Sequence, residues 1–296
     1  MKEKHYLLKY ISKCTKNKIT QIRSIFLNCY NNFGNQLILL NKIIFYCEIL
    51  RCERIILNKN FYWFIKNKIL DKEYNITIEI GEEKNYRNKS VLIDYTYSFF
   101  FYFNVFEPRY RPEVLKNELL NNLPKIKVSP NDLYIYVRSG DIFINFDKGY
   151  IQPPLCFYQE LINIFKFNHI YIISENKNNP VINQLLSQFP NIKYKKNPMK
   201  LDISYLIYAY NVVGAFSTFI NSIVRYNDNL QNFYYFNFII NYHFYNFFYF
   251  VFYHHVNKYI MNESDYYKKI DKCLNIDCQK IIMLKYKCPN KILKIK

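Results

Sequence analysis

Glycine is nearly missing from this chain, with five in 296 residues. A loop that needs a positive φ or a close backbone approach is therefore marked by the few that remain. Gly34, Gly140, Gly149 and Gly214 stand beside polar clusters, and only Gly81 does not. Paired metal-binding cysteines are also missing. Cys14, Cys29, Cys47, Cys52, Cys156, Cys273, Cys278 and Cys288 include no Cys-x-x-Cys and have no histidine at ligand spacing, which excludes an ordinary structural zinc site. No G-x-S-x-G, Walker A loop, D-x-D or recognisable carboxylate pair occurs. Hydrolase, P-loop and metal-dependent sugar-transfer readings lose support, and metal-free handling of a diphosphate is the chemistry that survives. No apolar run of signal-peptide or anchor length opens the chain, because residues up to Gln21 are polar and lysine-rich. The expectation is a cytosolic protein or one whose anchor is missing from this chain.

What is present is a large apolar fraction, 50% of the residues, enough for two packed domains or one large one. Forty-one Lys and Arg against twenty-three Asp and Glu give a net charge of +18, which favours anionic partners. The lysines are scattered among asparagines and read as solvated surface. Most Tyr and Phe fall in apolar runs that read as core, so no nucleic-acid partner is expected. Phe233 to Val256, aromatic but interrupted by Asn and His, reads as buried strand and helix rather than a membrane span. Cys47 and Cys52 fall in a helical pattern and its exit and read as core, whereas Cys273, Cys278 and Cys288 supply a disulfide if the compartment is oxidising. Sequons at Asn75, Asn88 and Asn262 are what an asparagine-rich chain produces by chance.

Strands and helices alternate along the chain. Ile22 to Leu27 reads as a strand, Asn31 to Gln36 as a polar turn and Leu37 to Leu50 as a helix, followed by strands at Arg54 to Leu57, Ile76 to Ile80 and Val91 to Ile93. Pro108, Pro112, Pro124 and Pro130 surround a helical Glu113 to Leu120 and mark a boundary between two halves, taken as 1–126 and 127–296. The second half repeats the alternation. Strands are expected at Leu133 to Val137, His169 to Ile173, Asn191 to Tyr194 and Val212 to Phe216. Helices are expected at Leu155 to Phe167, Pro180 to Phe189, Asp202 to Tyr210 and Thr218 to Tyr226. This is the pattern of a doubly wound α/β sheet.

Strand exits carry the polar residues. The most informative is Leu133 to Asp141, an apolar strand running into Arg138, Ser139, Gly140 and Asp141. An arginine at that place suits a diphosphate, because its planar fork donates parallel hydrogen bonds and keeps its charge; the plain alternative is an ion pair with Asp141. Ser217 and Thr218 read as an anion site at a helix N-terminus or as an ordinary cap. Ser174, Glu175 and Asn176 follow another strand, with Glu175 a base, a ribose partner or a solvated acid. Asp202 reads as a cap or a ligand contact, and His169 as a satisfied core histidine.

Four of these clusters, in order, resemble the fucosyltransferase superfamily with the two-domain GT-B fold, which includes α-1,2-, α-1,6- and protein O-fucosyltransferases. They are Phe33-Gly34-Asn35-Gln36-Leu37, Tyr136-Val137-Arg138-Ser139-Gly140-Asp141, Ile172-Ile173-Ser174-Glu175, and Asp202 to Ala209 with Ala215-Phe216-Ser217-Thr218-Phe219. Tyr136 stands where that group usually has His, and Ser139 where a second Arg is common. The resemblance covers roughly Phe26 to Phe236. It implies two Rossmann-like halves facing across a cleft, the first on the acceptor side and the second binding the nucleotide sugar. It also implies metal-independent, inverting transfer of fucose from GDP-fucose to a glycan or glycoprotein hydroxyl, with no cofactor. Arg138 would hold the β-phosphate and stabilise the leaving diphosphate by opposing its growing charge. Ser217 and Thr218 would join it on the phosphates. Gly34, Asn35, Gln36, Ser139, Gly140, Asp141, Ser174, Glu175 and Asp202 complete the donor-binding set, Asp141 orienting Arg138. Such enzymes work in the Golgi or endoplasmic reticulum lumen in eukaryotes and in the cytosol in bacteria. The two departures leave open a descendant that binds a glycan or nucleotide without transferring sugar.

Overall fold

The structure, a computed structural model, describes residues 8–9, 22–28, 32–58, 69–71, 75–81, 91–94, 112–146, 150–237 and 256–295. Gly149, Asn88, Cys14, Cys29, Pro108 and most of the aromatic stretch after Phe236 lie outside them. The chain divides into two units, Met1–Asn122 and Leu123–Lys296. Both are mixed α/β, with mainly parallel sheets and helices between the strands.

In the first unit the strands are β1 (Ser24–Asn28), β2 (Arg54–Leu57), β3 (Ile69–Asp71), β4 (Ile76–Ile80) and β5 (Val91–Asp94). Their order is β3-β4-β2-β1-β5, all parallel except the β3 edge. Helix α1 (Phe33–Leu50) connects β1 to β2, and α2 (Glu113–Asn121) closes the unit. α1 is apolar on nearly every side, which suits a helix enclosed by protein. By length and composition it could cross a membrane, yet most of it is buried inside the protein. It ends at Arg51 with φ 59, a left-handed cap that glycine usually provides and that this glycine-poor chain fills with a long polar residue. Cys47 and Cys52 are buried thiols, in keeping with their reading as core.

The second unit holds β6 (Leu133–Tyr136), α3 (Leu155–Ile164), β7 (Ile170–Ile173), α4 (Pro180–Gln188), β8 (Ile192–Tyr194), α5 (Met199–Tyr208), β9 (Asn211–Val213), α6 (Thr218–Val224) and β10 (Asn232–Asn237). It then continues through β11 (Asn257–Asn262), α7 (Ser264–Asp271), α8 (Ile276–Lys285) and β12 (Leu293–Ile295). The sheet order is β12-β11-β10-β9-β6-β7-β8, with only β12 antiparallel. Counting β6 as the first strand, the six parallel strands follow the Rossmann order 3-2-1-4-5-6, and chain direction across the sheet reverses between β6 and β9.

Both faces of that sheet are covered, as an interior parallel sheet requires. Leu133, Ile135 and Val137 of β6 and its exit join Leu161, Val181, Leu185, Ile270 and Met283 in one apolar core. Tyr134 and Tyr136 point the other way. Tyr134 stacks on Tyr171 at 5.1 Å and on Tyr205 of α5 at 5.6 Å, and Tyr136 stacks on Phe219 of α6 at 5.3 Å. Asparagines serve as in-register rungs. Asn232 Nδ2 donates to Asn211 Oδ1 at 2.6 Å, and Asn257 Nδ2 donates to Asn232 Oδ1 at 3.0 Å, across β9, β10 and β11.

Several boundaries differ from the sequence expectation. α1 begins at Phe33, so Gly34, Asn35 and Gln36 form its first turn rather than a loop before it, and Gln36 N–H already donates to Asn32 O at 3.0 Å. α5 begins at Met199 behind Pro198, whose fixed φ of −59° suits a helix start, so Asp202 lies inside the first turn and is not the cap. His169 is no core histidine: its side chain is 49% exposed and Nδ1 pairs with Asp132 at 3.2 Å. β3 carried no legible alternation, and the elements after Asn257 were not anticipated.

The C-terminal segment is fastened to the helix after β6. A disulfide joins Cys156 in α3 to Cys288, 132 residues later, and a second joins Cys273 to Cys278. Tyr266 O–H also donates to Gln152 O at 2.7 Å. Closing so long a loop restricts the unfolded chain strongly. Replacing Cys156 and Cys288 together by Ser is expected to lower unfolding free energy by about 2–4 kcal/mol. Urea denaturation under non-reducing conditions measures this, with the Cys273–Cys278 double serine variant losing less.

Candidate functional site

The exits of β6, β7 and β9 bring the polar clusters of the second unit together. β6 ends at Tyr136, and its last side chain reaches across to the β9 exit, where the Tyr136 hydroxyl lies 3.4 Å from Ser217 Oγ. Ser217 Oγ also accepts from Phe219 N–H at 3.2 Å, so it caps α6 while facing Tyr136. This contact spans the point where strand order reverses, the place at which open α/β sheets bind ligands.

Arg138 follows two residues later. Its side chain is 17% exposed, and Nη2 donates to Asp141 Oδ1 at 2.6 Å. The Tyr136 hydroxyl also interacts with the guanidinium. Burial by itself would lower the arginine, but Tyr136, Asp141 and Glu175 around it outweigh that and raise it, so the cation is held firmly. Tyr136 is pushed up by burial, against the opposing influence of Arg138 and Ser217, and keeps its proton at neutral pH.

The turn beyond Arg138 is built on Gly140, whose φ of +73° begins a short 3-10 helix, Gly140–Phe143. Only glycine takes that conformation without strain. Asn176, just after β7, holds the turn: its Oδ1 accepts from Ser139 Oγ at 2.7 Å, from Gly140 N–H at 3.3 Å and from Asn178 N–H at 3.0 Å. Asn179 completes the brace, with Nδ2 donating to Arg138 O at 3.0 Å and N–H donating to Ser139 Oγ at 2.9 Å. Its Oδ1 caps α4 through Val181 N–H. Glu175 lies over the turn, where a Cβ on residue 140 would overlap its carboxylate. That carboxyl is raised above the ordinary glutamate value, first by burial and then by Asp141, while Arg138 opposes the shift.

The candidates therefore separate by accessibility. Arg138, Asp141, Glu175, Ser217 and Thr218 keep exposed surface. Ser139 and Ser174 are buried, and their hydroxyls are engaged internally, Ser174 Oγ donating to Asn176 O at 3.0 Å. Asp202 is 7% exposed, accepts from Asn197 Nδ2 at 3.0 Å and is pushed up to about 6 by burial. Gly34 and Gln36 are buried in α1 of the first unit, and Asn35 is half-buried. Sequence reasoning missed the bracing role of Asn176 and Asn179. The Asn179-Pro180 pair carried a legible signal, a cap residue before proline at the first helical position. Gln152 was also missed as a tie: its Nε2 donates to Phe216 O at 3.2 Å, linking the loop before α3 to the β9 exit.

No protein-family model matches the chain, and neither a search of curated proteins nor one of solved structures returns a match.

Two outcomes follow from this geometry. Gly140→Ala is expected to cost about 1–2 kcal/mol for the left-handed backbone alone, plus a steric part. In a Glu175→Ala background the steric part disappears and the backbone part remains, as paired denaturation curves would record. Asp202 is raised in the folded state, so the folded protein holds its proton more tightly than the unfolded chain does. Stability contributed by this group is present below the ordinary aspartate value, is lost as pH rises toward about 6, and stays lost above. Asp202→Asn should flatten stability against pH between about 4 and about 6 and should not weaken the fold at pH 7.

Proposed function

We propose that the chain is a glycosyltransferase of the GT-B type that moves fucose from GDP-fucose to a glycan or glycoprotein hydroxyl, with inversion and without a metal. The observation that carries this reading is the meeting of Arg138 and Ser217, through Tyr136, at the β6–β9 reversal of a 3-2-1-4-5-6 sheet. A cation fixed at that point, with hydroxyls beside it, is suited to the diphosphate of a nucleotide sugar. In the transfer step the bond from the sugar C1 to the β-phosphate oxygen breaks while the acceptor oxygen bonds to C1 from the opposite face and its hydroxyl proton passes to solvent water. The electron pair of the broken bond goes to the diphosphate, and Arg138 opposes the charge that grows there. Tyr136, protonated, and Ser217 add neutral donors on the same side. Asp141 orients the guanidinium through its 2.6 Å contact. Thr218 lies at the same strand exit, and the buried Asp202 is assigned to the nucleoside by resemblance. The two-unit GT-B organisation belongs to this proposal, as does lumenal work, which the two disulfides favour.

A second reading, binding of a nucleotide without transfer, draws on Tyr136. It occupies the place of a histidine in the resembling group and, buried and protonated, cannot exchange protons near neutral pH.

Calorimetry at moderate salt tests the reading, because screening suppresses non-specific attraction to a chain of net charge +18. The expected result is micromolar GDP binding that Arg138→Ala weakens by at least about 100-fold, roughly the effect of removing a charged partner from a phosphate. Release of GDP from GDP-fucose in the presence of acceptor glycans then separates the two readings. An intact protein that binds neither GDP nor GDP-fucose would rule out both.

A further inference from the structure

We propose that the Cys156–Cys288 disulfide is an exchange site for an external dithiol, and that its opening loosens the tie by which Gln152 holds the β9 exit. Both parts concern the second unit alone and hold whatever ligand that exit takes.

The two disulfides differ in access. Cys273 is fully buried, and its bridge to Cys278 spans only five residues. Cys156 and Cys288 are both half-buried, and they lie along a groove of about 730 Å³ formed by α3, α4 and the end of α8. Gln159, Gln184, Gln188, Lys285 and Lys287 line it, so the sulfurs border a polar space that a small thiol can enter. Exchange needs such an approach, because the attacking thiolate must reach one sulfur directly.

The surroundings also set the direction of attack. Cys156 is the second residue of α3, a helix that opens at Pro154 with no side-chain cap, and a helix N-terminus favours a thiolate. Cys156 is therefore the better leaving group, and Cys288 is the sulfur attacked. Lys285 and Lys287, in the same groove, draw an anionic thiolate toward it. In the first step the reductant's thiolate bonds to Cys288 Sγ, the S–S bond breaks, and its electron pair goes to Cys156 Sγ, which takes a proton from solvent. In the second, the reductant's other thiolate attacks its own sulfur in the mixed disulfide, and Cys288 leaves as a thiolate and is protonated. Two electrons pass from the dithiol, which ends as a disulfide, to the protein, which ends with two thiols.

The bridge closes a ring of contacts that reaches the β9 exit. Gln152, in the loop before Cys156, is fully buried and donates through Nε2 to Phe216 O at 3.2 Å. Phe216 precedes Ser217, which faces Tyr136. Gln152 Oε1 has no hydrogen-bond partner, so the side chain is held through its nitrogen alone. From the other end, Tyr286 packs edge-on against Tyr266 at 4.9 Å, and Tyr266 O–H donates to Gln152 O at 2.7 Å. The disulfide is the covalent member of this ring; the others are weak contacts that open locally once it is gone. Beyond Cys288 the chain is held by Asn290, bonded to Glu263 and to Asn262 O, and by the three-residue β12.

Two measurements on the full chain test this. Dithiothreitol is added to the native protein, freed thiols are alkylated, and peptides are mapped against time. Cys156 and Cys288 are expected to be alkylated at least about 10-fold faster than Cys273 and Cys278, at a rate proportional to the reductant. With glutathione in its place the adduct should form on Cys288; an adduct on Cys156 would overturn the direction of attack. Hydrogen exchange of residues 214–221 is then compared in the oxidised and the selectively reduced protein. Reduction should speed exchange there by about 5-fold or more, and Gln152→Ala should do the same without reductant. If the two disulfides open together, and only as fast as the chain unfolds, the exchange site is overturned. If selective reduction leaves exchange at 214–221 unchanged, the disulfide does not control the tie and that part of the proposal fails. Both readouts on the intact chain need no substitution, so they decide the matter even where Gln152→Ala fails to fold.

Discussion

Strand β6 is paired on both edges and covered on both faces, so each of its backbone groups has a lateral partner and each side chain an apolar neighbour. A strand so enclosed has no place for charge along its length. Charged and amide side chains are therefore held to the strand ends: Asn211, Asn232 and Asn257 open β9, β10 and β11, and Arg138, Glu175 and Ser217 lie beyond the exits of β6, β7 and β9. The order of strands then decides which of them meet: β6 has β7 on one side and β9 on the other, so Arg138, Glu175 and Ser217, far apart in the chain, become neighbouring strand exits.

Bringing a cation to that edge is not sufficient; it has to be held. A free arginine loses much of its rotamer entropy on binding a ligand, and a half-buried one with no partner is costly. The chain meets both demands with its neighbours. Asp141 lies three residues on and fixes one nitrogen of the fork, Tyr136 supports the guanidinium from below, and Asn179 fixes the backbone carbonyl. Gly140 makes the arrangement possible, because only its positive φ turns the chain sharply enough to return Asp141 toward Arg138. Asn176 stabilises that turn from the next strand. The arginine is thus presented by a small polar scaffold that requires a glycine at one position and carbonyl acceptors at another.

Much of this was legible from the residues. The alternation of apolar runs and polar exits gave the α/β class of both units, and β2, β4, β6 and α4 lie within a residue of where periodicity placed them. The scarcity of glycine drew attention to Gly140 and Gly214, and the structure supplies a reason at each: a left-handed turn at the first, and the Phe233 ring against the backbone at the second. Other features were not legible. No local pattern distinguishes Asn176 from the other asparagines, because its role depends on β7 lying next to β6. Asp202 looked like a cap because helical periodicity begins there, whereas Pro198 had already started the helix. His169 was misread because an apolar run follows it; it stands at the entry of β7 with its side chain half exposed beside Asp132.

The asparagine-rich composition has a structural use that would not be guessed from its surface-like appearance. Asparagine carries a donor and an acceptor on a short arm, so it can cap a helix, brace a turn or bridge aligned residues of parallel strands. Asn179, Asn176 and the Asn211–Asn232–Asn257 series do these three things in turn. Here the parallel strands place Asn211, Asn232 and Asn257 in register, and their side-chain amides bond donor to acceptor in a row. The backbone geometry near the site needs acceptors at particular points rather than particular residue types, and asparagine meets that need repeatedly. Arg51 makes a related substitution, taking a left-handed helix cap without glycine. Arg138 and Gly140 have no such freedom, because one must carry a permanent charge and the other must lack a Cβ. It is at these few positions, rather than across the aromatic core, that a change of residue type would be expected to end the diphosphate binding proposed above while leaving the sheet in place.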